Sequence, residues 1–179
     1  MNEGGSDKPA ATRRLVRWLG LWLLLYGAGI LLYNASYDFT RTVLIHRFQV
    51  QPAAWILKHT TDLPIVAREE SILTRGHALQ VMRGCDGIEA WILMTSALVT
   101  FPMPWMRRWR SVAWGTVLIF GLNLLRIVSL FYVMMYWPAF MDLAHGLIWQ
   151  SIMVLSACLF VLFQMNAPAA RSQPEPLRP

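Results

Sequence analysis

The sequence is poor in charged residues and contains almost no cysteine. Charged side chains make up 15% of the 179 residues, whereas about a quarter is usual in soluble domains. Two cysteines are too few for a small secreted scaffold held together by several disulfides. The four histidines do not follow a metal-ligand spacing such as H-E-x-x-H. Intrinsic disorder is excluded because 56% of the residues are hydrophobic, whereas disordered chains have low hydrophobicity.

The scarce charges leave four long apolar stretches. A helix needs about 20 apolar residues to cross a hydrocarbon core about 30 Å thick. The sequence therefore predicts an all-α polytopic membrane protein with four transmembrane helices, near residues 15–35, 86–104, 111–136 and 142–166. The first stretch is longer than the apolar segment of a signal peptide, so we predict a helix that is retained.

Basic residues indicate how these helices are oriented. They precede the first helix, occupy the short connection 105–110 and follow the fourth helix, and cytoplasmic segments are the ones enriched in Lys and Arg. We predict a flexible cytoplasmic N-terminus at 1–14, a single transmembrane domain at 15–166 with its outer loop at 38–84, and a disordered cytoplasmic tail at 167–179. The net charge of +6 then reflects membrane orientation, and nucleic acid is not an expected partner.

The outer loop is long enough to contain structure of its own. Residues 40–60 are partly apolar but interrupted by Pro52, which predicts two short helical pieces on the membrane surface. Between residues 65 and 83, apolar and polar residues alternate around a turn at Arg75-Gly76-His77. This pattern predicts a small extracytoplasmic β-hairpin that leads directly to Cys85.

Cys85 lies at the outer start of the second predicted helix, close to Gly84 and Gly87. A helix N-terminus favours a thiolate, and glycines let another backbone approach closely. The acidic neighbours Asp86 and Glu89 oppose a thiolate, so the sequence does not decide the pKa of the thiol. The alternative is that Cys85 is a small apolar filler.

Two further polar residues interrupt the apolar helices. Arg126 lies inside the third predicted helix, where an arginine costs about 2.5–3.5 kcal/mol on insertion scales. It either has a functional role, with Asn123 as a hydrogen-bond partner one turn away, or it extends to a headgroup or bonds a neighbouring helix. His145 lies near the outer start of the fourth helix, where Asp142 can orient its ring; the alternative is a wetted interfacial histidine.

The predicted topology brings Cys85, Arg126 and His145 to the same depth, near the outer boundary of the membrane. A thiol, an imidazole and a guanidinium are the groups that acyl transfer needs, as nucleophile, acid or base, and partner for a developing oxyanion. Cys158 lies about 20 Å deeper along the fourth helix, which predicts a packing role. No metal or other cofactor is expected.

Three short motifs follow one another along the chain: Gly84-Cys85-Asp86-Gly87-Ile88, Asn123-Leu124-Leu125-Arg126-Ile127 and His145-Gly146. Together they resemble the signatures of the exosortase/archaeosortase family. The resemblance covers roughly residues 64–165. It implies a membrane-embedded cysteine transpeptidase or protease, analogous to sortases, that requires no cofactor. Its substrates would be exported proteins with a C-terminal sorting tail made of a short motif (Pro-Glu-Pro in the best-known subgroup), a transmembrane helix and a basic cluster.

The same resemblance implies a role for each polar residue. Cys85 would be the nucleophile, His145 the acid and base, and Arg126 the group that stabilises substrate or oxyanion. It also implies a multi-pass protein of the bacterial inner membrane, in contact with lipid, with its active site at the outer face. Asp86 departs from the small residue often found there in the family. We expect supporting roles for Asn123, Asp142, Gly84 and Gly87.

Two other functions remain possible from the sequence. In a noncatalytic membrane scaffold or assembly subunit, Arg126 would pair with a carboxylate in a partner helix and Cys85 would tolerate serine. In a small transporter or lipid-binding protein, Arg126 would hold an anion, and a polar cavity would continue inward past Asn123. The residues below Asn123 on that helix are apolar, which argues against a transporter.

Overall fold

The computed structural model of the protein describes residues 8–166. The predicted tail at 167–179 lies outside the described residues, and the N-terminal segment predicted to be flexible is helical from Lys8 onward. The elements in chain order are α1 (Lys8–Ala35), α2 (Tyr37–Thr40), a π-helical segment (Arg41–Val50), α3 (Gln51–Thr60), β1 (Val66–Arg68), β2 (Ser71–Thr74), β3 (His77–Gln80), α4 (Ile88–Thr100), α5 (Trp105–Tyr136), a 3-10 turn (Pro138–Phe140), a second π-helical segment (Leu143–Ile148) and α6 (Trp149–Asn166).

Three helical stretches in this part of the chain are long and apolar enough to cross a membrane, where the sequence predicted four. They are Thr12–Ala35, Trp105–Tyr136 and Pro138–Asn166. The remaining predicted span contains α4, which has 13 residues and is about 20 Å long at about 1.5 Å per residue. It is short because Gly87, with φ 75°, precedes it and Pro102 and Pro104 follow it.

The short helix α4 lies at the centre of the membrane bundle. It contacts α1, α5 and α6, and its buried residues Met94 and Leu98 form a core with Ile119 and Ala157. Gly115 allows α5 to approach closely, because a Cβ at this position would overlap the sulfur of Met94. The bundle therefore holds the start of α4, and the loop before it, in a defined position.

Residues 37–60 form one continuous helical stretch. The two helices α2 and α3 are joined by the π-helical segment without an intervening loop. Pro52 lies in the first turn of α3, just after the backbone changes from the π-helical to the α-helical pattern, and the helical stretch continues through it. The prediction that Pro52 separates two helical pieces is therefore wrong.

The strands form a three-stranded antiparallel sheet in the order β1-β2-β3, where the sequence predicted a single hairpin. The additional strand is β1. A tight turn joins it to β2 at Glu69, whose φ of 51° permits this turn. Ile72 and Leu79 of the sheet are buried in one cluster with Leu130 and Phe131 of α5. The sheet is thus packed against the C-terminal half of α5, next to the loop that carries Cys85.

Candidate active site

Cys85 and His145 are in direct contact. The Sγ atom of Cys85 lies 2.7 Å from Nε2 of His145. Cys85 belongs to the loop between β3 and α4, where its N–H donates to the carbonyl of Met82 at 2.9 Å. His145 belongs to the second π-helical segment, and such segments occur often at functional sites. An imidazole at this distance can take the proton of the thiol.

Arg126 lies beside this pair and is almost completely buried, with 2% of its surface exposed. Its Nη2 donates to the carbonyl oxygen of His145 at 3.3 Å, and its Nη1 donates to Oε1 of Gln150 at 3.4 Å. Its Nε is buried and has no hydrogen-bond partner within residues 8–166. The second π-helical segment and α6 therefore hold the guanidinium in place, and its Nε–H remains an unused donor.

Asp86 anchors the loop that carries Cys85. Its carboxylate accepts hydrogen bonds from the N–H of Ile88 at 3.0 Å and from the hydroxyl of Tyr33. Its carbonyl oxygen accepts a hydrogen bond from Nε2 of Gln49 at 2.6 Å. Gln49 in turn accepts one from Nδ2 of Asn123 at 2.6 Å. Residues of α1, the first π-helical segment, α4 and α5 thus hold the residue that follows Cys85.

Asn123 has a different partner from the one expected. The sequence predicted a hydrogen bond to Arg126, but the amide of Asn123 donates to Gln49 instead. Sequence reasoning also missed Tyr33, Gln49 and Gln150. Gln49 is completely buried, but in the sequence it lies between the polar residues Arg47 and Gln51, so no sequence signal points to it.

Gly84 and Gly87 both adopt the left-handed conformation, with φ values of 82° and 75°. A Cβ at Gly87 would lie 3.2 Å from both Asn123 and Met153. A larger residue at Gly87 would therefore be strained by its backbone conformation and crowded by its neighbours. These two glycines shape the turn that presents Cys85 at the start of α4.

The pKa of the Cys85 thiol is raised above its ordinary value. Burial is the largest cause, and the charges of Asp86 and Glu89 raise the pKa further, while the charge of Arg126 lowers it. The pKa of Asp86 is also raised, because burial outweighs its hydrogen bonds to Tyr33 and Ile88. Cys85 is therefore mainly a protonated thiol at neutral pH, and it requires a base to become a nucleophile.

A cavity of about 390 Å³ opens above the thiol, within the usual range for small-ligand sites. Cys85, Arg126 and His145 all line it. Asp142 lies in its wall, but no hydrogen bond joins Asp142 to His145 in the described part of the chain. The remaining lining residues come from the β3 region, α5 and the start of the last helical stretch: Ala78, Leu79, Gln80, Val81, Met82, Ile127, Leu130, Met134 and Met141.

Cys158 lies apart from this cavity. Cys158 is exposed on α6 and lines an apolar groove with Trp18 and Trp22. Among residues 8–166, no group of three or more His, Cys, Asp or Glu side chains has an arrangement that fits a metal ion.

A sequence profile of the transmembrane exosortase family matches residues 8–164, a range that includes all but the last two residues of α6 and contains Cys85, Arg126 and His145. No curated protein and no solved structure matches the chain. The match covers well over half of the sequence, so the chain belongs to the transmembrane exosortase family.

Proposed function

We propose that the protein is a cysteine transpeptidase that cleaves the C-terminal sorting tail of exported proteins and transfers them to an acceptor. One observation carries the proposal: the thiol of Cys85 and the imidazole of His145 are 2.7 Å apart. The guanidinium of Arg126 lines the same cavity. This set supplies a nucleophile, a base and a cation to one reacting carbonyl.

The first half-reaction forms a thioester. Nε2 of His145 takes the proton from Cys85 as Sγ attacks the scissile carbonyl carbon. The carbonyl π-electrons move to its oxygen, where the guanidinium of Arg126 stabilises the negative charge. When the intermediate collapses, the C–N bond breaks, and His145 returns the proton to the amine of the departing tail. The exported protein remains bound to Cys85 as a thioester.

The second half-reaction releases the exported protein. An acceptor amine attacks the thioester carbonyl, and His145 takes a proton from that amine. The C–S bond then breaks, the sulfur leaves with the bonding electrons, and His145 reprotonates it. Water in place of the amine gives hydrolysis, so the acceptor that enters the cavity decides between transfer and proteolysis.

The position of the site along α5 supports cleavage at the outer membrane boundary. Arg108 marks the basic end of α5, and Arg126 lies about 27 Å further along at about 1.5 Å per residue. That distance is close to the thickness of the hydrocarbon core. With the basic end in the cytoplasm, the cavity lies at the outer face of the bacterial inner membrane. A tail helix with a cytoplasmic basic cluster then presents its upstream peptide to Cys85.

Processing of an exported reporter with a C-terminal tripartite tail tests this function. The Cys85→Ala variant is expected to leave the tail attached, whereas the matched Cys158→Ala variant removes it like the wild type. Cys158 is a suitable control because it is exposed on α6 and does not line the catalytic cavity. Normal removal by Cys85→Ala would exclude Cys85 as the nucleophile.

A further inference from the structure

The third strand of the sheet has a free edge. Within residues 8–166, β3 pairs only with β2, and the two strands are antiparallel with Leu79 opposite Ile72 and Ala78 opposite Leu73. An unpaired edge presents N–H and C=O groups that can pair with another extended chain. The direction of these groups follows from the hydrogen-bond pattern.

Backbone groups of Ala78 and Gln80 point away from the sheet. Inter-strand hydrogen bonds involve every second residue of an antiparallel pair. The N–H of Val81 donates to the carbonyl of Glu70 at 2.8 Å, so Leu79 and His77, two and four residues earlier, also direct their backbone groups toward β2. Ala78 and Gln80 alternate with them and direct theirs outward.

The outward edge of β3 faces the cavity above Cys85. Five consecutive residues, 78–82, line this cavity. Successive side chains of a strand point to opposite faces of the sheet, so one face would contribute only alternate residues. A continuous run of lining residues shows that the cavity lies along the edge of the strand. Its opposite wall is formed by Leu130 and Met134 of α5 together with Met141.

We propose that this edge binds the substrate's polypeptide in an extended conformation, as a fourth strand of the sheet next to β3. The inference rests on the proposed function, because the occupant is the segment around the scissile bond. Backbone groups of Ala78 and Gln80 pair with alternate residues of that segment. Side chains of the segment contact the flexible methionines of the opposite wall, which accommodate different shapes.

In this binding mode, backbone pairing with β3 positions the reacting carbonyl next to Cys85, so the site does not need a large pocket for each substrate side chain. The edge leads from Gln80 through Met82 to Cys85, whose N–H is bonded to the carbonyl of Met82. An extended segment on β3 therefore has the thiol at one end, with Arg126 and His145 also in the cavity. Main-chain pairing provides affinity, and the cavity walls provide selectivity.

Two matched alanine-to-proline variants test the proposal. Ala78→Pro removes an N–H that points into the cavity. Ala67→Pro makes the same change in β1, which pairs with β2 through Val66 and Arg68 and leaves the N–H of Ala67 facing the opposite edge of the sheet. Proline is tolerated at such edge positions. Both variants are compared with the wild type for thermal stability in detergent.

Binding is measured in the Cys85→Ala background with a fluorescent synthetic peptide that contains Pro-Glu-Pro, a leucine-rich transmembrane segment and a basic end. We expect Ala78→Pro to weaken binding about tenfold, as for the loss of one backbone hydrogen bond, and Ala67→Pro to leave it unchanged. Strand addition would be overturned if both variants bound the peptide as tightly as the wild type. It would also be overturned if both lost the same affinity while their thermal stabilities were equal.

A second measurement changes the peptide and leaves the protein intact. N-methylation of successive residues preceding the Pro-Glu-Pro motif is expected to weaken binding at every second position, since only alternate N–H groups face β3. A loss without this alternation contradicts the proposal. The outcome is separable from the proposed function: if Cys85 is required for cleavage but Ala78→Pro processes the reporter with an unchanged KM, strand addition fails and the cysteine mechanism remains.

Discussion

The Sγ atom of Cys85 lies 2.7 Å from Nε2 of His145, although the two residues are 60 positions apart in the sequence. The thiol is contributed by the loop before α4 and the imidazole by the π-helical segment before α6. Because burial raises the pKa of the thiol, the proposed mechanism assigns the imidazole as its base.

Replacing the base is expected to stop processing without removing the thiol. His145→Gln keeps a polar side chain of similar length but cannot accept and return a proton in the same way. Tail removal is expected to fall about 100-fold to 10,000-fold, the usual contribution of general acid–base catalysis. The measurement is the rate of reporter processing, with Cys85 counted by alkylation to show that the protein is intact. A variant with wild-type rates would exclude His145 as the base.

Arg126→Lys is expected to fail even though it preserves the charge. The planar guanidinium donates both to the carbonyl of His145 and to Gln150, and a single ammonium cannot reproduce this fork. We expect a loss of about 100-fold to 1,000-fold, as for removal of an oxyanion donor. Arg110→Lys is the matched control, because Arg110 is exposed at the opposite end of α5. Equal activities of the two variants would show that the geometry of the guanidinium is irrelevant.

Removing the charge of Asp86 is expected to lower the pKa of Cys85. The charge of Asp86 raises that pKa, and Glu89 has the same effect but is the smaller cause. A lower pKa produces more thiolate at a given pH, so the pH profile of Cys85 alkylation should move to lower pH in Asp86→Asn. Glu89→Gln should move it in the same direction by a smaller amount. A shift of the Asp86→Asn profile to higher pH would contradict the electrostatic interpretation.

Two glycines of the membrane domain are expected to respond oppositely to alanine. At Gly87, the φ of 75° and the 3.2 Å approach to Asn123 predict that Gly87→Ala loses about 1–3 kcal/mol of stability. At Gly121, inside α5, a Cβ has open space around it, and Gly121→Ala should gain up to about 1 kcal/mol from helix propensity. Thermal unfolding in detergent compares the two variants. Equal stability of both would mean that the turn at Gly87 is not constrained.

Helix direction and membrane depth were enough to predict which polar residues meet. Arg126 and His145 interrupt apolar patterns, Cys85 directly precedes one, and the order of the helices brings all three to one end of the bundle. Their convergence in one cavity follows from these two features. The length of the second helix was not predicted, because hydropathy continues past Pro102 while the helix ends at Thr100.

The hydrogen-bond partners that hold the site residues in place could not be predicted from a single sequence. Gln49 and His145 lie in π-helical segments, whose wider spacing changes which side chains face inward and leaves no distinct periodicity. The role of Asp86 was also misjudged in part. Its charge does oppose the thiolate, but its carboxylate is turned inward to bind the N–H of Ile88 and the hydroxyl of Tyr33. Such partners depend on tertiary packing, which local patterns do not contain.

Trapping the covalent intermediate tests the central claim most directly. The purified protein is mixed with a reporter that carries the tripartite tail, quenched in acid and digested, and the acylated residue is identified by mass spectrometry. We predict a hydroxylamine-sensitive acyl group on Cys85, absent from Cys85→Ala and present in Cys158→Ala. Turnover of the reporter with no adduct on Cys85, or with the acyl group on another residue, would contradict the mechanism.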